Sequence, residues 1–175
     1  MQKVLQISLI SLLGLLFLII NGCIKQPAFP DTPIISLVSA TQTSYGTYSD
    51  SFNFVLNYTD GNGDIGLDSG DVAPPFNPGS PYFYNLYVEY YEKSNGAFKK
   101  VPNTLIANDT VSFPIRMPVF YSPENKSKAI QGTISFGIFY DNPPHYSDTV
   151  MFQIYIYDRA LNKSNVVQSQ TIVRQ

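Results

Sequence analysis

Five oxygen-bearing side chains fall in one twelve-residue window: Asp60, Asn62, Asp64, Asp68 and Asp71 stand at positions 1, 3, 5, 9 and 12 of residues 60–71. Ca²⁺ gathers about six to eight hard oxygen ligands, and this spacing offers them. Gly61, Gly63 and Gly66 let the backbone curl so that alternate side chains converge. Two positions depart from the EF-hand pattern: Ile65 stands at position 6 where Gly is required, and Asp71 at position 12 in place of a longer bidentate Glu. Asp, Asn and Gly are also the ordinary residues of tight turns, where the side chain caps nearby amides, and that reading stands beside the metal one. Four carboxylates crowded into one loop repel one another without a cation, which speaks for the ion.

Other chemistry is thinly supplied. His145 is the only histidine and lies in the run Asn142-Pro143-Pro144-His145-Tyr146. One histidine without a nucleophile motif makes no catalytic triad, and a zinc site would lack its usual ligands. The chain is therefore expected not to be an enzyme. The aromatic cluster Tyr82-Phe83-Tyr84, Tyr87 and Tyr90-Tyr91 suits a glycan or protein platform, since exposed tyrosine combines an apolar face with a hydroxyl. Its alternative is structural, with alternate members in the core and the rest paired across strands.

Cys23 is the only cysteine, so no disulfide forms within one chain. It follows a basic residue, Lys3, and an apolar run over 4–20, which together read as a secretory signal. The junction Ile20-Asn21-Gly22-Cys23 resembles the lipobox of bacterial lipoproteins, with Asn21 the least usual member. The resemblance implies cleavage before Cys23 and acylation of its thiol, palmitate included. Residues 1–22 are then the lipoprotein signal peptide, 23–33 a lipidated tether and 34–175 the folded domain. Pro27, Pro30 and Pro33 favour an extended, semi-rigid tether. Ile24 is not the Asp that retains proteobacterial lipoproteins in the inner membrane, which points to the outer membrane. No acidic run follows Cys23 to support surface export, and the periplasmic or surface side stays open.

Those elements must be positioned by strands. Removing 22 of the 175 residues leaves 153, enough for one substantial core. The formal net charge of −2 becomes −3 once Lys3 is lost, and a chain without a basic excess is a poor partner for nucleic acid. Thirteen Tyr, twelve Phe, frequent Gly and Pro, and no Trp point to short strands between turns. Strands are expected at 34–40, 51–58, 85–93, 97–101, 111–119, 129–140, 149–157 and 166–173. Asn95-Gly96 marks a hairpin turn, and Pro114 and Pro118 make 111–119 an edge strand. The loop 59–82 exceeds ordinary connection lengths, as functional or mobile loops do.

Seven or eight strands in this order predict an all-β chain, a two-sheet sandwich of immunoglobulin or fibronectin type III kind, with a small barrel as the alternative. The run Tyr157-Asp158-Arg159-Ala160-Leu161-Asn162-Lys163-Ser164 resembles the loop before the last strand of bacterial immunoglobulin-like domains, with Leu161 where that family has Gly. Residues 58–66 resemble a stretch of Bacteroidota lipoproteins that carries Asp where this chain has Asn62. Asp109-Thr110-Val111 and Asp148-Thr149-Val150 resemble the O-glycosylation sites of the same lineage, at Thr110 and Thr149. In an immunoglobulin-type sandwich the loop after the second strand and the loop before the last share one end. Asp158 and Asn162 are thereby expected near Asp60 and Asp64, at the end that carries the tether and faces the membrane.

The functional expectation is a non-catalytic, membrane-anchored module binding an envelope protein or glycan; the alternative is a structural or assembly accessory rigidified by a Ca²⁺ loop. Mass spectrometry of the membrane-extracted protein checks the anchor: the mature chain should begin at an acylated Cys23, and an intact Met1 or a free thiol would contradict it.

Overall fold

The second strand sets the frame of the molecule, because one parity of its residues is built for burial. The computed structural model describes residues 28–44, 49–120, 129–141 and 147–174; the signal segment 1–22, Cys23 and His145 lie outside the described residues. In β2 (Ser49–Asp60) every second residue points inward: Asp50, Phe52, Phe54, Leu56, Tyr58 and Asp60. A strand presents alternate side chains to opposite faces, so the spacing that buries the apolar four also carries a carboxylate inward at each end.

β2 is the middle strand of a three-stranded sheet. β1 (Ile34–Ser44) pairs with it antiparallel from Ile34 opposite Thr59 to Ser44 opposite Asp50, with an irregularity between Leu37 and Ser39. β6 (Ile130–Asp141) pairs along its whole other edge, from Ser49 opposite Asp141 to Asp60 opposite Ile130. The second sheet is built on β3 (Leu86–Ser94) and β7 (Thr149–Ile156), antiparallel neighbours. β4 (Ala97–Lys100) and β5 (Ser112–Ile115) share the far edge of β3. β8 (Val167–Gln168) and β9 (Ile172–Val173) share the far edge of β7. The two sheets pack face to face through Phe52, Phe54 and Leu56 on one side and Val88, Tyr90, Phe152 and Ile154 on the other. Phe152 contacts Phe52, Phe54 and Tyr90 with ring centroids 4.7, 5.1 and 5.5 Å away. Burying each such side chain contributes about 1.5–3 kcal/mol. The chain is thus an all-β, two-sheet sandwich, and among its described residues no helix is long and apolar enough to cross a membrane.

The hairpin between β3 and β4 closes on Asn95 and Gly96, both at positive φ (51° and 82°), the geometry that matches strand twist. β5 lies at an edge, with Pro114 opposite Tyr87. The expected strand 166–173 is instead two short pieces, because Ser169 interrupts the ladder: its hydroxyl accepts from the Phe152 N–H at 3.0 Å while its own N–H donates to the Phe152 carbonyl at 2.9 Å. The expected strand 111–119 stops at Ile115, where Arg116 leaves the sheet to bind the long loop.

At the end of the sandwich opposite Asp60, the buried carboxylate of Asp50 is neutralised within the fold. Arg174 donates from Nε and NH2 to Asp50 Oδ2 at 2.6 Å, both side chains 6% exposed. Removing one partner from a buried pair strands the other charge. Arg174→Met should therefore cost about 3–5 kcal/mol in urea unfolding, and a loss below about 1 kcal/mol would show that water reaches Asp50.

Candidate metal centre

The other end of β2 has no such cation. Asp60 is fully buried, 0% exposed, as the last inward residue of the strand. One of its oxygens, Oδ2, accepts the Asp64 N–H at 2.8 Å and curls the chain back over it. The other, Oδ1, is buried without a hydrogen-bond partner. Asn62 Oδ1 and Asp64 Oδ1 are buried and unpartnered in the same way. Buried polar atoms are nearly always satisfied, so three unmet oxygens on alternate residues of one turn call for a donor or a cation.

The loop between β7 and β8 closes over this turn. Ile65 and Asp158 form an antiparallel bridge, and Arg159 N–H donates to the Asp64 carbonyl at 3.2 Å. Ala160 N–H donates to Asp64 Oδ2 at 3.2 Å. Carboxylate oxygens of Asp60, Asp64 and Asp158 consequently lie within 4.8 Å of one another. Asp158 is itself held by Asn162, whose N–H and Nδ2 donate to Oδ1 and Oδ2 at 2.7 and 2.8 Å. The turn between them puts Leu161 at φ 67°, a left-handed conformation that glycine adopts more cheaply.

Three carboxylates this close, and this dry, resist ionisation. Burial pushes the Asp60 carboxyl above its ordinary range, and the Asp158 charge adds to the effect. Burial also raises Asp158, against the hydrogen bonds from Asn162, with the field of Asp31 raising it further. Asp64 is pushed up to about 6, first by burial and then by the charges of Asp158 and Asp60. A divalent cation would reverse all three costs together. The donors are all oxygen, three of them anionic, and such a set suits Ca²⁺ better than zinc or copper. Asp60, Asn62, Asp64 and Asp158 would hold the ion, with water completing its shell.

Asp68 and Asp71, expected at positions 9 and 12 of the same loop, do not join. Ile65 and Leu67 are sunk in the core, at 0% and 3% exposure, and draw the chain away just after Asp64. Gly66 makes the exit at φ 101°, so close to the Pro118 carbonyl and Val119 Cα that a side chain has no room. Asp71 instead receives both terminal nitrogens of Arg159, at 2.6 and 2.7 Å. Asp68 accepts the Gly70 N–H at 2.7 Å and lies 3.9 Å from Arg159. The EF-hand comparison fails where the sequence departs from it, at position 6.

Arg159 and Arg116 had no signal in the sequence, since their partners lie far along the chain. Arg116 donates to the carbonyls of Phe83, Asp68 and Asp71 at 2.6, 3.1 and 2.8 Å. Together they fasten the long loop after β2, which Asn85 also anchors by exchanging bonds with Met117. Tyr90 is a core residue, whereas Tyr87 faces outward and stacks on Tyr155 across the strand pair at 5.3 Å. Thr110 bridges to Pro102, and Thr149 opens β7 opposite Val173; both are half-buried. Comparisons with protein-family models, with curated proteins and with solved structures return no match to this chain.

The raised carboxyls give a pH signature. A group with folded pKa above its unfolded value stabilises the fold below the unfolded value and loses that contribution as pH rises through the folded one. For Asp64 the window runs from 3.8 to about 6. With EDTA present, this contribution to stability should fall as pH rises through the window. Asp64→Asn should flatten that segment of the unfolding profile, and an unchanged slope would contradict the crowded-carboxylate account.

Proposed function

We propose that this protein is a non-catalytic, lipid-anchored module of the cell envelope whose tether end is held together by Ca²⁺. The observation that carries the cation is the fully buried Asp60, with an unpartnered oxygen aimed among two further carboxylates. The anchor rests on the run ending Ile20-Asn21-Gly22-Cys23. An immunoglobulin-like assignment is supported by strand order: β1-β2-β6 faces a sheet with β3 and β7 at its centre and the last strands beyond β7. That arrangement parallels the A-B-E and C-F-G strands of immunoglobulin-type sandwiches. Bacteroidota lipoproteins are the lineage the motif resemblances favour, and the outer membrane the location favoured by Ile24.

The ion's work in this reading is mechanical. It joins the β2 end of one sheet to the β7 end of the other, where the remaining links are few. Recognition of an envelope protein or glycan is the second reading. It is favoured by the outward tyrosines of the second sheet, where Tyr87, Tyr155 and Tyr157 contact one another and Lys163 lies 3.5 Å above the Tyr155 ring.

Thermal melting of the mature domain in EDTA and in CaCl₂ tests the cation. A ligand at about one hundred times its Kd stabilises by about 2.7 kcal/mol, a rise of about 5–10 °C for a domain of this size. Asp64→Asn should cross over: more stable than the native chain in EDTA, because a repulsion is gone, and less stable in CaCl₂, because a ligand is gone. A native midpoint that ignores CaCl₂ would sink the proposal.

A further inference from the structure

The metal loop does not stand alone at its end of the sandwich; the segment that leads into β1 runs across it. Gly61 N–H donates to the Pro30 carbonyl at 2.8 Å, so the residue next to Asp60 is hydrogen-bonded to the residue next to Asp31. The approach is as close as backbones allow. A Cβ on Gly61 would collide with the Phe29 carbonyl and lie 2.8 Å from the Pro30 carbonyl group. Only glycine admits the tether here, which gives position 61 a role separate from loop curling. Beyond this contact the segment is tied down again. Pro33 is buried, Ile35 N–H donates to Asn165 Oδ1 at 2.8 Å, and Asn165 Nδ2 returns a bond to the Ile35 carbonyl at 2.8 Å. Asp31 lies between these two fastenings, exposed and without a resolved cation partner among the described residues.

We propose that Asp31 is a further ligand of the Ca²⁺ centre, so that the ion clasps the tether to the folded body. The inference rests on the cation reading given above and adds an element to it. Two observations place the carboxylate in range. The Pro30–Gly61 bond brings its backbone to the neighbour of Asp60, and its charge is felt at Asp158, the residue on the opposite wall of the centre. An exposed carboxylate on the open side of a buried triad is suited to close the shell after the ion enters. Without the ion, the same charge adds to the repulsion and pushes the tether away from the body. Ca²⁺ would thus set whether the domain stands rigidly on its tether or swings from it.

The test uses the mature chain and CaCl₂, with calorimetry for affinity and hydrogen exchange at Gly61 N–H for the clasp. Native protein should bind one Ca²⁺ and slow exchange at Gly61 at least about tenfold. Asp31→Asn should still bind, about five- to twentyfold more weakly, with protection of Gly61 reduced to less than about twofold. The affinity ratio should persist in 0.5 M NaCl, where the field of a remote exposed charge would be screened. Asp109→Asn, an exposed carboxylate between β4 and β5, should change neither reading. If Asp31→Asn binds as tightly as native and Gly61 stays equally protected, the clasp is wrong and the metal centre stands. If the affinity ratio vanishes in salt, Asp31 acts only through its field and the clasp is again overturned. If native protein takes up no Ca²⁺, both fall together.

Discussion

The whole arrangement depends on the parity of β2. A strand cannot bury Phe52, Phe54, Leu56 and Tyr58 without also turning Asp50 and Asp60 inward, because all six occupy the same face. Ionised carboxylates taken from water are costly unless compensated, and the two ends of the strand meet that cost differently. Asp50 has Arg174. Asp60 has other carboxylates for neighbours, together with an oxygen that nothing in the fold satisfies. The same physical constraint thus produces a structural ion pair at one end and an ion-seeking cavity at the other.

The sheets explain why the carboxylates gather where they do. Antiparallel pairing of β3 with β7 brings the end of β7 to the height at which β2 ends in the facing sheet, so the turns leaving them meet. Once they meet, main-chain bonds from 159 and 160 to Asp64 fix the spacing, and the arginine fastenings keep the long loop from competing for the same space. The second sheet then supplies what the first lacks: Asp158, and a frame stiff enough to hold it.

Much of the framework was legible in the residues. Period-two alternation located β2, β6 and β7, and Asn95-Gly96 located the hairpin, because each is a local signal. The meeting of Asp158 with Asp60 and Asp64 followed from topology. What could not be read were long-range substitutions for regular structure. Ser169 takes the place of a ladder residue beside Phe152, and Ser164 does the same for Ile156, accepting its N–H at 3.0 Å. Neither serine differs in sequence from any turn serine. The removal of Asp68 and Asp71 from the site likewise depended on how deeply Ile65 is buried and on the reach of Arg159, facts of packing with no periodic signature. The mismatch at position 6 was visible, but its consequence was not.

The two walls of the centre differ in compliance. On one side, both oxygens of Asp158 are engaged by Asn162 in a turn whose Leu161 already occupies a costly backbone region. On the other, Asp60, Asn62 and Asp64 sit on a glycine-rich curl. A small ion such as Mg²⁺ demands contacts of about 2.0–2.1 Å from every side, whereas Ca²⁺ accepts about 2.3–2.6 Å in irregular geometry. A jaw that moves on one side only cannot contract evenly, so the fold itself discriminates by ionic radius, and the strained leucine turn is part of the gauge.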